Sequence, residues 1–172
     1  MARSRQLTRG AVCAAILCVI SVVPAEAQVV ALGASNTEGW PAGSSLAYPA
    51  QLEAMLRASG RNVRVYNAGI YGDTTTGMLS RVDSAVPPGT KVVILQAGTN
   101  DYRRGVSPAQ RAANIAAIQN RLRARGIKTV MAQPTVSAAV RQYPHPDRIH
   151  MTPAGHRLVA QRLLPQVLAG LR

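Results

Sequence analysis

Ser35 follows the apolar run Val29-Val30-Ala31-Leu32, which stops at Gly33 and leads through Ala34 into Ser35-Asn36-Thr37. This pattern predicts a buried strand that ends abruptly and presents a serine at its carboxyl end. Ligands bind there in open α/β sheets, so Ser35 is a candidate nucleophile. Three other segments carry matching chemistry. They are the glycine-rich Asn67-Ala68-Gly69-Ile70-Tyr71-Gly72-Asp73, the turn Gly98-Thr99-Asn100-Asp101 and the late stretch Asp147-Arg148-Ile149-His150. Together they offer a serine, backbone N–H groups, an asparagine amide, a carboxylate and an imidazole. That inventory suits acyl transfer, with a nucleophile, oxyanion donors, an orienting carboxylate and a general base.

These groups can meet only if the elements between them place them on one edge. Val29 to Leu32, Val63 to Tyr66, Val92 to Gln96 and Lys128 to Ala132 read as strands. The run at Val92 is unbroken and apolar, as strands of parallel sheets buried on both faces are. Helices are expected over Tyr48 to Ala58, from a Thr74 or Thr75 cap through Val82, and from Ser107-Pro108 to about Arg125. Pro134 to His150 reads as irregular. A last helix opens at Thr152-Pro153, and Pro165 is expected to kink or shorten it. Strands alternating with helices predict one three-layer α/β/α sandwich with a parallel, flavodoxin-like sheet of four or five strands. In a parallel sheet the loops after strands one, two and three lie at the same edge, so the four segments converge on one crevice.

The chain has 172 residues, 47% of them hydrophobic, enough for one domain with a real core. Residues 1–27 are set apart. Arg3, Arg5 and Arg9 precede an apolar run from Ala11 to Val23, and Ala25-Glu26-Ala27 has the small-x-small form of a cleavage site. This predicts a secretory signal peptide cut after Ala27, a secreted or periplasmic protein and a domain spanning residues 28–172. Both cysteines, Cys13 and Cys18, fall in the removed segment, so the mature chain has neither disulfide nor thiol nucleophile. The net charge of +13 is carried almost wholly by scattered arginines. It reads as a solvated basic surface with a secondary attraction to anionic surfaces. Aromatic residues are too few, at 3%, to interleave with it as base-stacking proteins require, so nucleic acid is not an expected partner. Once the signal is cut, no integral membrane segment is expected.

In their order and in their places at strand ends, the four segments resemble the SGNH, or GDSL-type, hydrolase superfamily. The branch holding thioesterase I, lysophospholipase and arylesterase is the nearest. The resemblance implies a cofactor-free, metal-free serine hydrolase acting on small-molecule or lipid esters or thioesters. It implies Ser35 as nucleophile, His150 as base and Asp147 as the carboxylate that orients it. It implies an oxyanion hole of the Ser35 and Gly69 backbone N–H groups and the Asn100 side chain. Of the three histidines, His145 sits between two prolines and His156 falls in the last helix. Only His150 has a carboxylate three positions before it. Trp40, Tyr71 and Tyr102 are the candidate lining of the substrate pocket, with Trp40 alternatively a cover for the sheet edge. Asp73 and Asp101 are read as groups that fix their own loops.

The chain departs from the family pattern twice. The aspartate usual before the nucleophile is Ala34 here, and the run from Asn100 to Asp147 is short, which implies a smaller sheet and a more open site; with no phenylalanine and few aromatics, a shallow cleft for short acyl groups is expected. Two other readings stay open at this point: a polysaccharide O-deacetylase of the same superfamily, and a binding domain that kept the fold without the chemistry.

Overall fold

A computed structural model describes residues 27–172. The residues read as a signal peptide lie outside the described residues except Ala27, which opens the first strand. The strands are β1 (Ala27–Gly33), β2 (Arg64–Gly69), β3 (Val92–Leu95) and β4 (Lys128–Met131). They form one sheet in the order β2-β1-β3-β4, and every pairing is parallel. Val30 pairs with both Tyr66 and Val93, which centres β1 in the sheet. The chain leaves β1 toward β2 on one side and returns to β3 on the other. This makes the carboxyl end of β1 a topological switch point, where a crevice opens.

The period-two alternation of strand side chains divides the core into two layers. Val29, Ala31, Val92 and Ile94 face one side. They pack there against α2 (Tyr48–Ala58), α5 (Gln133–Gln142) and α6 (Pro153–Gly170), through Leu52, Val136 and Leu163. Val30, Leu32, Val93 and Leu95 face the other. They meet α3 (Thr75–Ala85) and α4 (Pro108–Ala124), through Met78, Val82, Ile118 and Leu122. All four residues of β3 are buried, which is why its sequence carries no polar alternation. The fold is thus the expected three-layer α/β/α sandwich, with four parallel strands.

Two local expectations are corrected and a third is refined. The stretch after β4 is not irregular throughout: Gln133–Gln142 is the helix α5. Pro134, where the irregular stretch was expected to begin, occupies the first turn, where a missing N–H costs nothing. Pro165 does not shorten the last helix, which continues to Gly170. It lies on the exposed face, where water can satisfy the carbonyl it leaves without a donor. Ser35, expected only as a serine presented at the end of a strand, begins a single helical turn, α1 (Ser35–Glu38), closed by the Thr37 and Glu38 N–H groups donating to Ala34 O at 2.9 Å.

Strand β2 also runs past the expected Tyr66 to Gly69, which pairs with Gly33. Gly69 packs so closely on α1 that a Cβ there would collide with the Glu38 backbone nitrogen. A glycine is needed at that position for close approach.

Candidate active site

The carboxyl ends of β1 and β3, the β2–α3 loop and the segment before α6 meet at the crevice. Ser35 Oγ lies 3.0 Å from His150 Nε2. His150 Nδ1 lies 2.7 Å from Asp147 Oδ2. The other carboxylate oxygen of Asp147 accepts the Ile149 and His150 backbone N–H groups, each at 2.9 Å. With Nδ1 donating to the carboxylate, Nε2 is left as the acceptor for the serine hydroxyl proton. The hydrogen bond from the His150 ring, then the His150 backbone N–H, hold the Asp147 carboxyl well below the usual carboxylate range, against an opposing effect of burial and with a further contribution from the Ile149 N–H. Ser35 and His150 are both buried, at 7% and 5% exposure.

The other two histidines are placed differently. His145 Nδ1 lies 3.2 Å from the same Asp147 oxygen, outside Ser35's reach. His156 is fully buried, and its Nδ1 accepts the Tyr48 N–H at 3.2 Å.

Ala34 has no side-chain oxygen with which to tie the Ser35 turn, and the rest of the chain supplies the restraint. Gln96, at the end of β3, is 1% exposed. Its Oε1 accepts the Ala34 N–H at 3.0 Å and the Thr37 hydroxyl at 3.1 Å. With the Thr37 proton so placed, the Tyr48 hydroxyl donates to Thr37 Oγ1 at 3.1 Å, and burial pushes the Tyr48 phenol up in pKa. Gln96 Nε2 donates to Gln133 and Thr99, at 2.8 and 3.1 Å. A polar residue closing an apolar strand was the signal for this role. Its partners Ala34, Thr37 and Gln133, distant in sequence, were not legible.

Asn100 is held by a hydrogen bond from its side-chain amide to Asp73 O at 2.9 Å, leaving its second N–H for the crevice. Asp73 pairs with Arg81 at 2.7 Å and accepts the Thr74 N–H, so it fixes its own loop as expected. Asp101 is fully buried and accepts from the Thr75 N–H and hydroxyl, so its side chain ties its loop to the start of α3 rather than fixing its own loop.

Ser35, Tyr71, Gly72, Asn100 and His150 line a cavity of about 140 Å³. A neighbouring cavity of about 270 Å³ shares Asn100, Arg103 and Ile149 with it and is walled by Asn36, Val136 and Val140.

Two of the sequence-based site residues are corrected here. Gly69 does not line either cavity, and its N–H donates to Asn67 Oδ1 at 3.0 Å. The glycine that reaches the crevice is Gly72, three residues on, in the left-handed region with φ 72°. Both glycines occur in one short motif, and only the extension of β2 tells them apart. Tyr102 is 90% exposed and lines neither cavity, because the 3-10 turn Tyr102–Arg104 follows an inward Asp101 and turns the tyrosine outward. Tyr71 is in the site, its ring stacked 6.2 Å from that of His150. Trp40 is half exposed and touches the site only through Tyr71, edge-on at 5.6 Å.

Among the described residues, no group of three or more histidine, cysteine, aspartate or glutamate side chains could hold a metal ion. No helix among them is long and apolar enough to cross a membrane.

The pattern of the GDSL-like Lipase/Acylhydrolase family matches residues 31–148. Esterase TesA of Pseudomonas aeruginosa is 34% identical over 102 residues, covering 59% of this chain and 47% of that protein. The crystal structure of AlinE4, an SGNH-hydrolase family esterase, superposes with a TM-score of 0.56 at 36% identity, covering 60% of this chain and 56% of that one. The psychrotrophic esterase EstA of Pseudoalteromonas sp. superposes with a TM-score of 0.73 over 85% of this chain and 99% of that one. At 15% identity it shares the fold alone. The chain spans about half the length of TesA and AlinE4.

Proposed function

The chain belongs to the GDSL-like lipase/acylhydrolase family, and from that premise we propose that it hydrolyses carboxylic esters or thioesters through an acyl-serine intermediate. The observation that carries this reading is the unbroken relay from Ser35 Oγ to His150 Nε2 and from His150 Nδ1 to Asp147, at 3.0 and 2.7 Å. Ser35 Oγ attacks the acyl carbonyl carbon as its proton passes to His150 Nε2. His150 then protonates the leaving oxygen or sulfur, and the acyl group stays on Ser35. A water, deprotonated by His150, attacks that acyl carbon, and the carboxylic acid departs with Ser35 reprotonated. Asp147 keeps the imidazole in the required tautomer and stabilises its charged form.

The oxyanion donors in this reading are the Ser35 N–H, the Gly72 N–H and the free N–H of the Asn100 amide. Gly72 and Asn100 take this role because both line the cavity that holds Ser35. The small size of that cavity supports short acyl groups as substrates. Export to the periplasm or beyond belongs to the same proposal. It rests on the basic start, the apolar run and the Ala25-Glu26-Ala27 site.

The deciding experiment compares the wild type with Ser35→Ala on a panel of p-nitrophenyl esters, thioesters and acetylated sugars, with fluorophosphonate labelling alongside. Hydrolysis and labelling that both vanish in Ser35→Ala, with the fold retained, support the assignment. Wild-type protein that neither hydrolyses nor labels overturns it.

A further inference from the structure

Three arginines surround the crevice at Ser35. Arg103 lines both cavities, Arg104 the smaller and Arg148 the larger. Of the six carboxylate side chains among the described residues, Glu38 forms no ion pair and lines neither cavity, and the other five are committed elsewhere. Asp147, next to Arg148, is bound to His150, and Asp101, next in the chain to the Tyr102–Arg104 turn, is bound to Thr75. Asp73 pairs with Arg81, Asp83 with Arg121 and Glu53 with Arg57. Among the described residues, none of the three site arginines forms an ion pair.

Arg148 adds an independent sign. It is the sole non-glycine residue among those described with a positive φ, at 56°. The turn that brings Asp147 back onto His150 needs a left-handed residue there. Glycine would meet that need without steric cost, and arginine does not. An observed outlier of this kind at a site points toward function. Here the backbone strain falls on a residue that lines the cavity beside Ser35.

Like charges gathered in a cleft repel one another and focus a positive potential on whatever enters it. A neutral ester gains nothing from that field. An ester bearing an anion relieves the repulsion and gains charge-assisted, bidentate hydrogen bonds from the planar guanidinium groups. We propose that this site selects esters carrying an anionic group, a carboxylate, phosphate or sulfate, close to the scissile bond, with Arg148 and Arg103 holding that group and Arg104 at the mouth. The inference rests on the ester-hydrolase reading of Ser35 and adds its substrate class.

The test uses matched pairs at fixed ionic strength. One pair places the anion on the acyl side: p-nitrophenyl hemiglutarate against p-nitrophenyl valerate. The other places it on the leaving group: 1-butyrylglycerol 3-phosphate against 1-butyrylglycerol. In at least one pair the anionic member is expected to have kcat/KM about tenfold or more above the neutral one, the effect of a single charge-assisted hydrogen bond. Arg148→Gly, which suits the backbone, and Arg103→Gln should each lower that ratio, while Arg148→Lys should restore much of it. Arg162→Gln removes an equal charge from the exposed face of α6 and should leave the ratio unchanged. Equal or lower kcat/KM for the anionic member of both pairs overturns the inference, as does an equal loss on both members in the arginine variants. Ser35-dependent turnover of the valerate ester without an anionic preference sinks this inference alone. No turnover of any ester, with no fluorophosphonate labelling, removes the hydrolase reading too.

Discussion

Asp147 grips His150 twice, through its ring at 2.7 Å and through its backbone N–H at 2.9 Å. One carboxylate therefore shapes the turn and sets the tautomer. Replacing it by the isosteric amide should leave the turn in place and spoil the tautomer. Asp147→Asn is expected to lower kcat on a p-nitrophenyl ester by about 10³–10⁴-fold, with an unchanged circular dichroism spectrum. A loss under about tenfold would mean that the carboxylate is only structural.

Gln96 takes over the restraint that Ala34 cannot supply. In Gln96→Leu the buried Ala34 N–H and Thr37 hydroxyl lose their acceptor. Unpaired buried donors cost ~1–3 kcal/mol each, and the expected loss of stability is about 3 kcal/mol. The denaturation midpoint in urea reads this directly. Because Ala34 precedes Ser35, the proposed nucleophile, kcat should fall as well, and a variant with wild-type kcat would show that Gln96 does not hold the Ser35 turn.

Gly69 and Gly72 should answer to alanine in different ways. At Gly69 the added methyl meets the backbone of α1, so Gly69→Ala should accumulate poorly or lose more than about 3 kcal/mol, as overpacking against an unyielding backbone does. At Gly72 the methyl faces the end of the flexible Arg104 side chain, and the left-handed backbone costs about 1–2 kcal/mol. Gly72→Ala should therefore fold and show its defect in kcat. The opposite pattern, a folded Gly69→Ala with kcat reduced about 10²-fold, would return the oxyanion role to Gly69.

His156 makes stability fall in acid. Burial, and secondarily the charge of His150, press its pKa down from 6.5 to about 4. The unfolded chain binds this proton near pH 6.5 and the folded chain resists it to about pH 4. The contribution is complete above pH 6.5 and is lost as the pH falls through this window, by about 3 kcal/mol at most. Urea midpoints at pH 7 and pH 5 check the sign. His156→Gln should flatten the difference, and a variant as acid-sensitive as the wild type would place the linkage elsewhere.

How much was legible in the sequence depends on how locally each feature is encoded. β3 is a run of four apolar residues, and burial on both faces is the only environment that favours such a run, so its place in the sheet was readable. Ser35 and Asn100 were readable as candidates because each follows a strand, and parallel topology sends those ends to one edge; Asp147 and His150 follow α5 instead, and were readable as a pair only through their three-residue spacing just before a helix start. α5 was missed because its apolar face is short and its first turn contains a proline, the commonest sign of a break. Tyr102 was misplaced because a single tight turn decides whether its ring meets the crevice or the solvent. Arg148 gave no local sign of its left-handed backbone, which the closure of Asp147 onto His150 imposes.

By itself the sequence determined the layers, the parallel order of the strands with every long helix but α5, and the candidates for nucleophile, orienting carboxylate and base. Hydrophobic period and strand-end chemistry are local properties that survive without coordinates. Only the tertiary structure decided which glycine reaches Ser35, what holds the nucleophile turn beside Ala34, and that three arginines share the crevice without carboxylate partners. Those outcomes depend on contacts between residues tens of positions apart, from Ala34 to Gln96 and from Ser35 to His150. Packing of the whole domain sets such distances, and no local pattern encodes them.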